Sequence, residues 1–399
     1  MKIQNFDAVY SFEGYVIERV TCETVGIQID LRWDKRRRLE CPDCGCRMAR
    51  NRVREKVAFD LSCGGGPVVL VKYPAIQGKC SGCGGYATIT PDEIHPTRRA
   101  TWRLMRYVSM LARFVPLDAM KAICAVPAAT AYRYDRDVLE ADLPPPNLDG
   151  IRALLVDEKQ VRRGHGYVTI VLDADSGELL HMCEGKKADA LGVFLDSLTD
   201  AQKATIQAVC IDRAGAYKKA VRERLPGAEI VFDRFHLMMN LGKAIDQVRR
   251  EEFKKAEGDD RRAIKGQRYN LLRNKENLTG KQSLDLRKLL EMNETVSTAY
   301  VLKGQFRVTW TYTTSWWAGR YLRNWITLAK QADIDPLTKF ANGIERDFEG
   351  IVSWFRHRIS NGTIEGFNSI ISRVVFKSRG IRSFEYLYLK LRQESLLQN

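Results

Sequence analysis

The amino-acid sequence predicts a multidomain α/β protein, and three of its features carry that prediction. Two Cys-x-x-Cys pairs stand within the first 95 residues, three consecutive prolines follow at residues 144–146, and strand-like and helical runs alternate after them. We therefore expect a domain built around the cysteines, a short helical domain, a proline-rich linker and a mixed-sheet domain interrupted by an all-helical insertion.

The composition is that of a basic, well-packed protein. Among 399 residues, 64 Lys and Arg outnumber 49 Asp and Glu, which gives a net charge of +15. Such a surplus favours a polyanionic partner, although a basic enzyme without one is the alternative. No run of 18 apolar residues is present, and the first residues lack the apolar stretch of a signal peptide. We expect no membrane contact and a cytoplasmic, nucleoid-associated location.

The cysteine pairs predict a structural zinc site in an N-terminal zinc-ribbon-like domain, residues 1–95. Cys41 and Cys44 form one pair, Cys80 and Cys83 the other, and each pair is followed by Gly. Two such knuckles supply the four thiolates of a tetrahedral Zn²⁺ site. A redox pair would not be expected twice, and it would begin a helix after a strand. The six other cysteines are expected to be packed or tolerated thiols.

Residues 96–143 follow a helical pattern that suits a helix-turn-helix DNA-binding domain. Three short helices are predicted, with Pro116 restarting the chain after the first and Pro127 near the start of the third. The third carries Arg133 and Arg136, which we expect to contact DNA in the major groove. The turn lacks the Gly often found there, so a plain helical bundle is the alternative.

A proline-rich linker at residues 144–150 separates these domains from a catalytic core that begins at residue 151. Helical runs follow the third and fourth of five strand-like runs. The five runs are residues 151–156, 167–172, 178–183, 206–211 and 228–232. The first part of the core therefore covers residues 151–236 in the order βββαβαβ.

Two carboxylates stand at the ends of strands that are neighbours in such a sheet. Asp157 follows the first strand and Asp212 follows the fourth. Carboxylates that converge there hold Mg²⁺ or Mn²⁺ ions, one activating the attacking oxygen and the other stabilising the leaving one. A lone Asp at a strand end is usually a turn or cap residue. The order of the elements makes the pair more informative than either residue alone.

Glu365 is the candidate third carboxylate. It stands in the first turn of a predicted helix whose apolar residues gather on one face, and it lies on the polar face with Asn368. The alternative is a solvated Glu favoured by the helix dipole. Asp233 and His236, which follow the fifth strand, are possible supporting residues for the metal site. Their alternative is a helix cap with a packed histidine.

Residues 237–356 predict an all-helical insertion, and residues 357–399 predict the closing helices of the core, which carry Glu365. The start of the insertion is basic, and we expect Arg249, Arg250, Lys254 and Lys255 to contact DNA phosphates, with a solvated helix face as the alternative. Six aromatic residues between 310 and 325 are expected to form helical core, with base stacking as the less favoured interpretation.

These residues resemble the ISL3 family of bacterial insertion-sequence transposases over nearly the whole chain. The resemblance rests on VDE at 156–158, CID at 210–212 with Ala216 and Tyr217, FDRFH at 232–236, SNGTIEGFN at 360–368 and RGIRSF at 379–384. It implies an RNase-H-like catalytic core with a DDE triad carried by Asp157, Asp212 and Glu365. It further implies two Mg²⁺ or Mn²⁺ ions per site and action on double-stranded DNA at terminal inverted repeats.

The expected reaction is hydrolytic strand cleavage followed by transfer of the 3′-OH into target DNA. Two DNA ends must be held together, so we expect a homodimer or a higher oligomer on DNA. One alternative is a zinc-ribbon and helix-turn-helix regulator whose core is only a scaffold, which would bind DNA without cutting it. Another is a structure-selective nuclease of the same fold, which would cut without joining.

Overall fold

The structure, a computed structural model, describes residues 11–22, 26–62, 68–161, 166–185, 188–212, 215–359, 362–378 and 383–397. Its contacts divide the chain into two compact units. The first contains the described residues of Met1–Pro144 and Val374–Gln393, and the second those of Pro145–Arg373 and Glu394–Asn399. No helix among the residues described is both long and apolar enough to cross a lipid bilayer.

A five-stranded mixed sheet forms the N-terminal part of the first unit. Its strands β1 to β5 are Tyr15–Cys22, Gly26–Trp33, Met48–Asp60, Val68–Cys80 and Tyr86–Ile89. The order is β1-β2-β4-β3, with β5 also paired to β4. Only β2 and β4 run parallel. Alternating apolar residues such as Ile29, Leu31, Val71 and Tyr73 are buried on one face, which is the period-2 pattern of a strand with one covered face.

Three helices follow in the first unit: α1 (Trp102–Leu111), α2 (Met120–Cys124) and α3 (Ala128–Asp142). Thr101 caps α1 because its hydroxyl accepts from the Leu104 amide. α2 ends at Ala125, whose φ of 57° is left-handed, and Pro127 precedes α3. The buried side chains Met105, Met120 and Val138 join the helices in one apolar core. The predicted three helices are therefore present.

The second unit contains another five-stranded mixed sheet. Its strands β6 to β10 are Ala153–Gln160, Tyr167–Asp173, Leu179–Glu184, Ala208–Ile211 and Glu229–Phe232, and they match the five predicted runs. The order is β10-β9-β6-β7-β8. β6, β9 and β10 run parallel, whereas β7 is antiparallel to both neighbours. Helices α4 (Ala188–Ser197) and α5 (Asp200–Thr205) lie between β8 and β9 in the chain, and α6 (Gly215–Arg224) lies between β9 and β10.

Nine helices make up the described part of the segment between β10 and residue 359. Helices α7 to α15 are Arg234–Lys255, Gly258–Ile264, Arg268–Leu272, Gly280–Met292, Glu294–Val308, Ser315–Gln331, Asp335–Arg346, Phe348–Val352 and Trp354–His357. Buried residues such as Phe306, Leu322, Trp325 and Leu337 continue the apolar core of the sheet. The predicted helical character of this segment is therefore confirmed.

Two helices close the chain: α16 (Gly362–Lys377) and α17 (Phe384–Ser395). The predicted apolar face of α16 is buried, and Glu365 is exposed on the other face. The contacts group Val374–Gln393 with the first unit, so the segment 357–399, predicted as one piece of the core, is divided between the units. Ser360, Asn361 and the predicted motif residues 379–382 lie outside the described residues.

Candidate active site and zinc centre

The four predicted zinc ligands come together in the first unit. The ligand atoms of Cys41, Cys44, Cys80 and Cys83 all lie within 4.8 Å of one another. Two Sγ–Sγ distances, Cys41–Cys83 at 3.9 Å and Cys44–Cys80 at 3.4 Å, are close to the spacing of about 3.8 Å that tetrahedral ligation with Zn–S bonds of about 2.3 Å requires. The donor set therefore fits a structural Zn²⁺ ion.

Backbone amides prepare these thiols for a cation. The amides of Gly82 and Cys83 lie 3.3 and 3.5 Å from the Cys80 sulfur. Donation by the Cys83 amide is the main cause that lowers the pKa of Cys80 to about 6. Gly45 and Gly84, which trail the two pairs, have φ near 70°, the left-handed region that favours glycine. The repeated Cys-x-x-Cys-Gly pattern is thus a consequence of knuckle geometry.

Three aspartates lie just beyond the paired part of three adjacent parallel strands of the second sheet: Asp157 within β6, Asp212 directly after β9 and Asp233 directly after β10. Leu155 of β6 pairs with Cys210 of β9, so Asp157 and Asp212 each lie two positions beyond a matched pair. Phe232 of β10 pairs with Ile211, and the Asp233 amide donates to the Ile211 carbonyl at 3.3 Å. Asp157, Asp212 and Asp233 line one small cleft together with Cys210 and His236. The prediction that Asp157 follows its strand is wrong, because β6 continues to Gln160 through its pairing with β7. Parallel pairing nevertheless brings Asp157 and Asp212 to one cleft and adds Asp233.

Asp157 is held by a residue of α16. The Asn368 side-chain amide donates to Oδ2 of Asp157 at 2.7 Å. Burial raises the pKa of the Asp157 carboxyl, and the Asn368 hydrogen bond opposes that rise. The buried side chain of Ile364 also lines the cleft. This end of α16 is therefore fixed against β6 at the cleft.

Glu365 lies on that helix, one turn before Asn368, with an exposed side chain. The structure places its helix at the cleft, but the carboxylates of Asp157, Asp212 and Glu365 do not all lie within 4.8 Å of one another. Asp157 and Asp212 are thus brought together by strand pairing, whereas Glu365 faces outward from the adjacent helix turn.

Asp233 makes two contacts with the start of α7. Its Oδ1 accepts from the Phe235 amide at 2.6 Å and caps the helix, and its Oδ2 lies 2.5 Å from Nδ1 of His236. The hydrogen bond to Asp233 raises the pKa of His236, and the nearby Asp157 and Asp212 carboxylates add to the effect despite burial. The helix cap, which is the alternative interpretation of Asp233, is therefore present, and Asp233 also positions the His236 ring beside the cleft.

A buried network behind the cleft was not anticipated from the sequence. The Tyr217 hydroxyl donates to Oε1 of Glu158 at 2.8 Å and lies 2.9 Å from the Thr169 hydroxyl. Burial raises the pKa of Tyr217, and the charge of Glu158 raises it further. Glu158 follows Asp157 in β6, so the network fixes the strand beside the aspartate. In the sequence, the only signal for this network was the presence of Tyr217 in the motif at residues 216–217.

The basic residues predicted to contact DNA differ in their exposure and in the ion pairs and hydrogen bonds that they form within the protein. Arg133 is exposed on α3 and donates to the carbonyl of Ala129, and Arg136 pairs with Glu140 at 3.1 Å. The remaining four lie on α7. Arg249 and Arg250 both pair with the buried Asp246, Lys255 pairs with Glu252, and Lys254 is exposed.

The aromatic cluster divides into core and surface. Trp310 and Trp325 are buried, as the core interpretation predicts. That interpretation is wrong for Trp316 and Trp317, which are 60% and 53% exposed. Both stand in the first turn of α12, and the Arg320 guanidinium lies 5.6 and 5.8 Å from their ring centroids. Helical spacing alone does not show which neighbours cover a helix end.

Comparisons with known proteins agree on one class. A family model described as a transposase matches residues 154–391, more than half of the chain. The transposase for insertion sequence element IS1001 of Bordetella parapertussis is 29% identical over 397 residues, covering 97% of this chain and 96% of the relative. The transposases for element IS1557 of two Mycobacterium tuberculosis strains are 30% identical over 256 residues, covering 57% of each chain.

Proposed function

Because this chain belongs to the ISL3 family of insertion-sequence transposases, we propose that it cuts DNA at the ends of its element and transfers the 3′-OH ends into target DNA. The observation that carries the proposal is that Asp157 and Asp212, each two positions beyond the last matched pair of the parallel strands β6 and β9, line one cleft, with α16 fixed to Asp157 by Asn368. The catalytic core of the chain has an RNase-H-like fold. The strand order β10-β9-β6-β7-β8, in which β7 alone runs antiparallel to the other four strands, supports that assignment.

Asp157, Asp212 and Glu365 are the residues that would hold two Mg²⁺ or Mn²⁺ ions. Such ions, when bound, orient the attacking oxygen and stabilise the leaving one. Asn368 fixes the Asp157 carboxylate, so little reorganisation is needed on that side. Glu365, which is exposed one turn before Asn368, would have to turn toward the cleft to join the two aspartates. The clustered negative charge of the cleft fits divalent cations.

His236 supplies a positive charge at the same cleft. Its hydrogen bond to Asp233 favours the imidazolium, which attracts the scissile phosphate without serving as a metal ligand. Asp233 therefore acts through His236, and we assign it as a positioning residue. Water or the 3′-OH is the nucleophile, so no covalent protein–DNA intermediate is required.

The first unit recognises the terminal inverted repeats. Cys41, Cys44, Cys80 and Cys83 would hold a Zn²⁺ ion that fixes the loops around them. Helices α1 to α3 form the helix-turn-helix, with Arg133 of α3 exposed for the major groove. Two element ends are joined to target DNA in one reaction, and we propose a homodimer or higher oligomer on DNA to hold them.

The test is strand cleavage and strand transfer on a duplex that carries the inverted repeat flanking this gene, with supercoiled plasmid as the target. Asp157→Asn, Asp212→Asn and Glu365→Gln should each reduce cleavage by roughly 10³-fold or more while leaving DNA binding intact. Asp175→Asn, an exposed carboxylate of the same unit, is the matched control. Full cleavage by all three variants would exclude the triad.

The same assay separates the alternatives. DNA binding without Mg²⁺-dependent cutting by the unmodified protein would indicate a regulator with a scaffold core. Cutting without any joined product would indicate a nuclease. The proposed transposase gives both products, and loses both in each of the three variants.

A further inference from the structure

A cavity of about 690 Å³ opens beside α7 and begins next to the candidate active site. Phe235, Met239, Lys243 and Arg250 of α7 all line it. Their spacing of four, four and seven residues places them on one helix face, which we call the α7 stripe. Phe235 stands two residues after Asp233, the cap of this helix and a wall of the catalytic cleft. The stripe therefore leads directly away from the cleft.

The cavity is rich in positive charge. Lys243, Arg250 and Arg268 line it with exposed side chains, whereas Asp246 is its single acidic residue among those described. Lys303 also lines it, but its buried ammonium donates to the carbonyls of Leu271, Leu272 and Arg273. Asp246 is buried and already pairs with Arg249 at 2.8 Å, Arg250 at 2.8 Å and Arg268 at 3.5 Å. The pair between Arg268 and Asp246 joins α7 to the neighbouring helix α9. Because one carboxylate balances only one positive charge, the cavity keeps a surplus of positive charge that suits an anionic ligand.

The end of the stripe nearest the cleft is apolar and exposed. Phe235 is 52% exposed and Met239 38% exposed, one turn apart. An aromatic ring and a polarisable thioether on the surface provide flat, adaptable contacts for the face of a nucleobase. The stripe thus changes along α7 from base-contacting to phosphate-contacting chemistry with increasing distance from the cleft.

We propose that the α7 stripe holds the DNA strand that enters the catalytic cleft, with a nucleobase against Phe235 and Met239 and backbone phosphates at Lys243, Arg250 and Arg268. This inference rests on the proposed function, because it takes the cleft to be the place where DNA is cut. From Phe235 to Arg250 the helix rises about 22 Å at about 1.5 Å per residue. That length matches about six nucleotides of one DNA strand at about 3.4 Å per nucleotide.

Lys243 and Phe235 are the best positions for a test, since both are exposed and neither holds the ion-pair cluster around Asp246. The whole 399-residue chain would be titrated without Mg²⁺ or Mn²⁺, which prevents cutting and leaves the zinc site intact. The probe is a fluorescein-labelled duplex copied from the DNA that flanks this gene, with an unpaired overhang at one end that leaves base faces free. Fluorescence anisotropy at several salt concentrations gives both the affinity and its salt dependence.

Lys243→Glu should weaken binding and reduce the slope of log K against log salt by about 1, the value for one lost phosphate contact. Phe235→Ala should weaken binding roughly 5- to 150-fold, the range for one stacked base, without changing that slope. Lys288→Glu and Leu284→Ala, exposed positions on α10, are the matched controls and should change neither quantity. Melting curves of all four variants establish that they are folded.

Equal effects of Lys243→Glu and Lys288→Glu on affinity and slope would overturn the inference, since bulk charge alone would then explain them. An unchanged affinity in Phe235→Ala would likewise overturn the stacking contact. Cleavage by the unmodified protein separates the two proposals. If it cuts DNA but the stripe variants bind like their controls, only the stripe inference fails; if the stripe variants lose binding but the unmodified protein never cuts, only the proposed function fails.

Discussion

The Asn368 amide donates to Oδ2 of Asp157 at 2.7 Å and joins residues that are 211 positions apart in the chain. This bond connects β6, at the centre of the second sheet, to α16, which begins beyond the whole helical segment. Glu365 lies one turn before Asn368 on the same helix face. The amide is therefore the contact that fixes the helix of Glu365 to Asp157.

Replacing Asn368 should impair catalysis without unfolding the protein. Asn368→Ala removes the donor that fixes Asp157, and we expect cleavage to fall by roughly 10- to 100-fold, the usual effect of losing a residue that orients a metal ligand. Ser372→Ala, one turn further along α16, is the matched control, since the Ser372 hydroxyl donates to the backbone carbonyl of Asn368 and leaves its side-chain amide untouched. Equal cleavage rates in the two variants would show that the bond has no catalytic role.

Asp233 allows its two structural tasks to be separated. Asp233→Ala removes the cap of α7 and should lower stability by about 0.5–2 kcal/mol, whereas Asp233→Asn retains a capping oxygen and should cost less. Both remove the charge that favours the His236 imidazolium, so both should reduce cleavage by roughly 10- to 100-fold.

The control for this pair is Thr279→Ala, which removes the cap of α10. It should lower stability by a similar amount and leave cleavage unchanged. Thermal melting and single-turnover cleavage measure the two effects. If Asp233→Asn were fully active, Asp233 would be a helix cap alone.

The sequence predicted the strands and helices of this fold better than the distant segments against which they pack. The strands around Asp157 and Asp212 were predictable because buried strands are short apolar runs between turn residues. Their pairing followed from the order of elements. The four-cysteine cluster was predictable because both knuckles impose the same spacing and the same glycine.

Contacts between distant segments were not predictable in the same way. The period of apolar residues showed which face of α16 is buried, but not that Asn368 on its polar face reaches Asp157. Nor did it show that Val374–Gln393 group with the first unit. Trp316 and Trp317 repeat the spacing of buried residues, yet no neighbouring helix covers them among the described residues. The spacing of apolar residues shows locally which face of a helix is buried. The segment that covers this face depends on how the whole chain folds.

Removal of the zinc ligands should affect the first unit. We expect about one zinc per chain by elemental analysis, and its loss in Cys44→Ser, because a tetrahedral site needs all four thiolates. Cys46→Ser is the sharpest control, since Cys46 lies next to the knuckle and within contact of Gly82 without belonging to the four-sulfur cluster. Loss of zinc in Cys46→Ser would instead mean that this cysteine takes part in ligation.

The same experiment has a functional readout. If the zinc centre supports recognition of element ends, Cys44→Ser should weaken specific binding of the inverted repeat more than binding of an unrelated duplex of equal length. Equal losses for both duplexes would assign the zinc centre a purely structural role.

The C-terminal helix α17 is joined to α3 by a buried charged cluster. Asp135 is fully buried, lies 3.1 Å from the Lys390 ammonium and 2.5 Å from the Tyr386 hydroxyl, and accepts from Ser109 at 2.7 Å. Burial raises the pKa of Tyr386, as does the charge of Asp135. Lys390→Met leaves that carboxylate without its cation and should destabilise the first unit by about 3–5 kcal/mol.

Hydrogen exchange of peptides that cover α17 measures this loss directly. Exchange should accelerate in Lys390→Met and recover in the double variant Asp135→Asn/Lys390→Met, because a neutral side chain no longer requires the ammonium. Lys121→Met, an exposed lysine of the same unit, should exchange like the unmodified protein. Slow exchange in Lys390→Met would mean that apolar packing, including the Tyr132–Tyr386 ring contact, holds α17 without the ion pair.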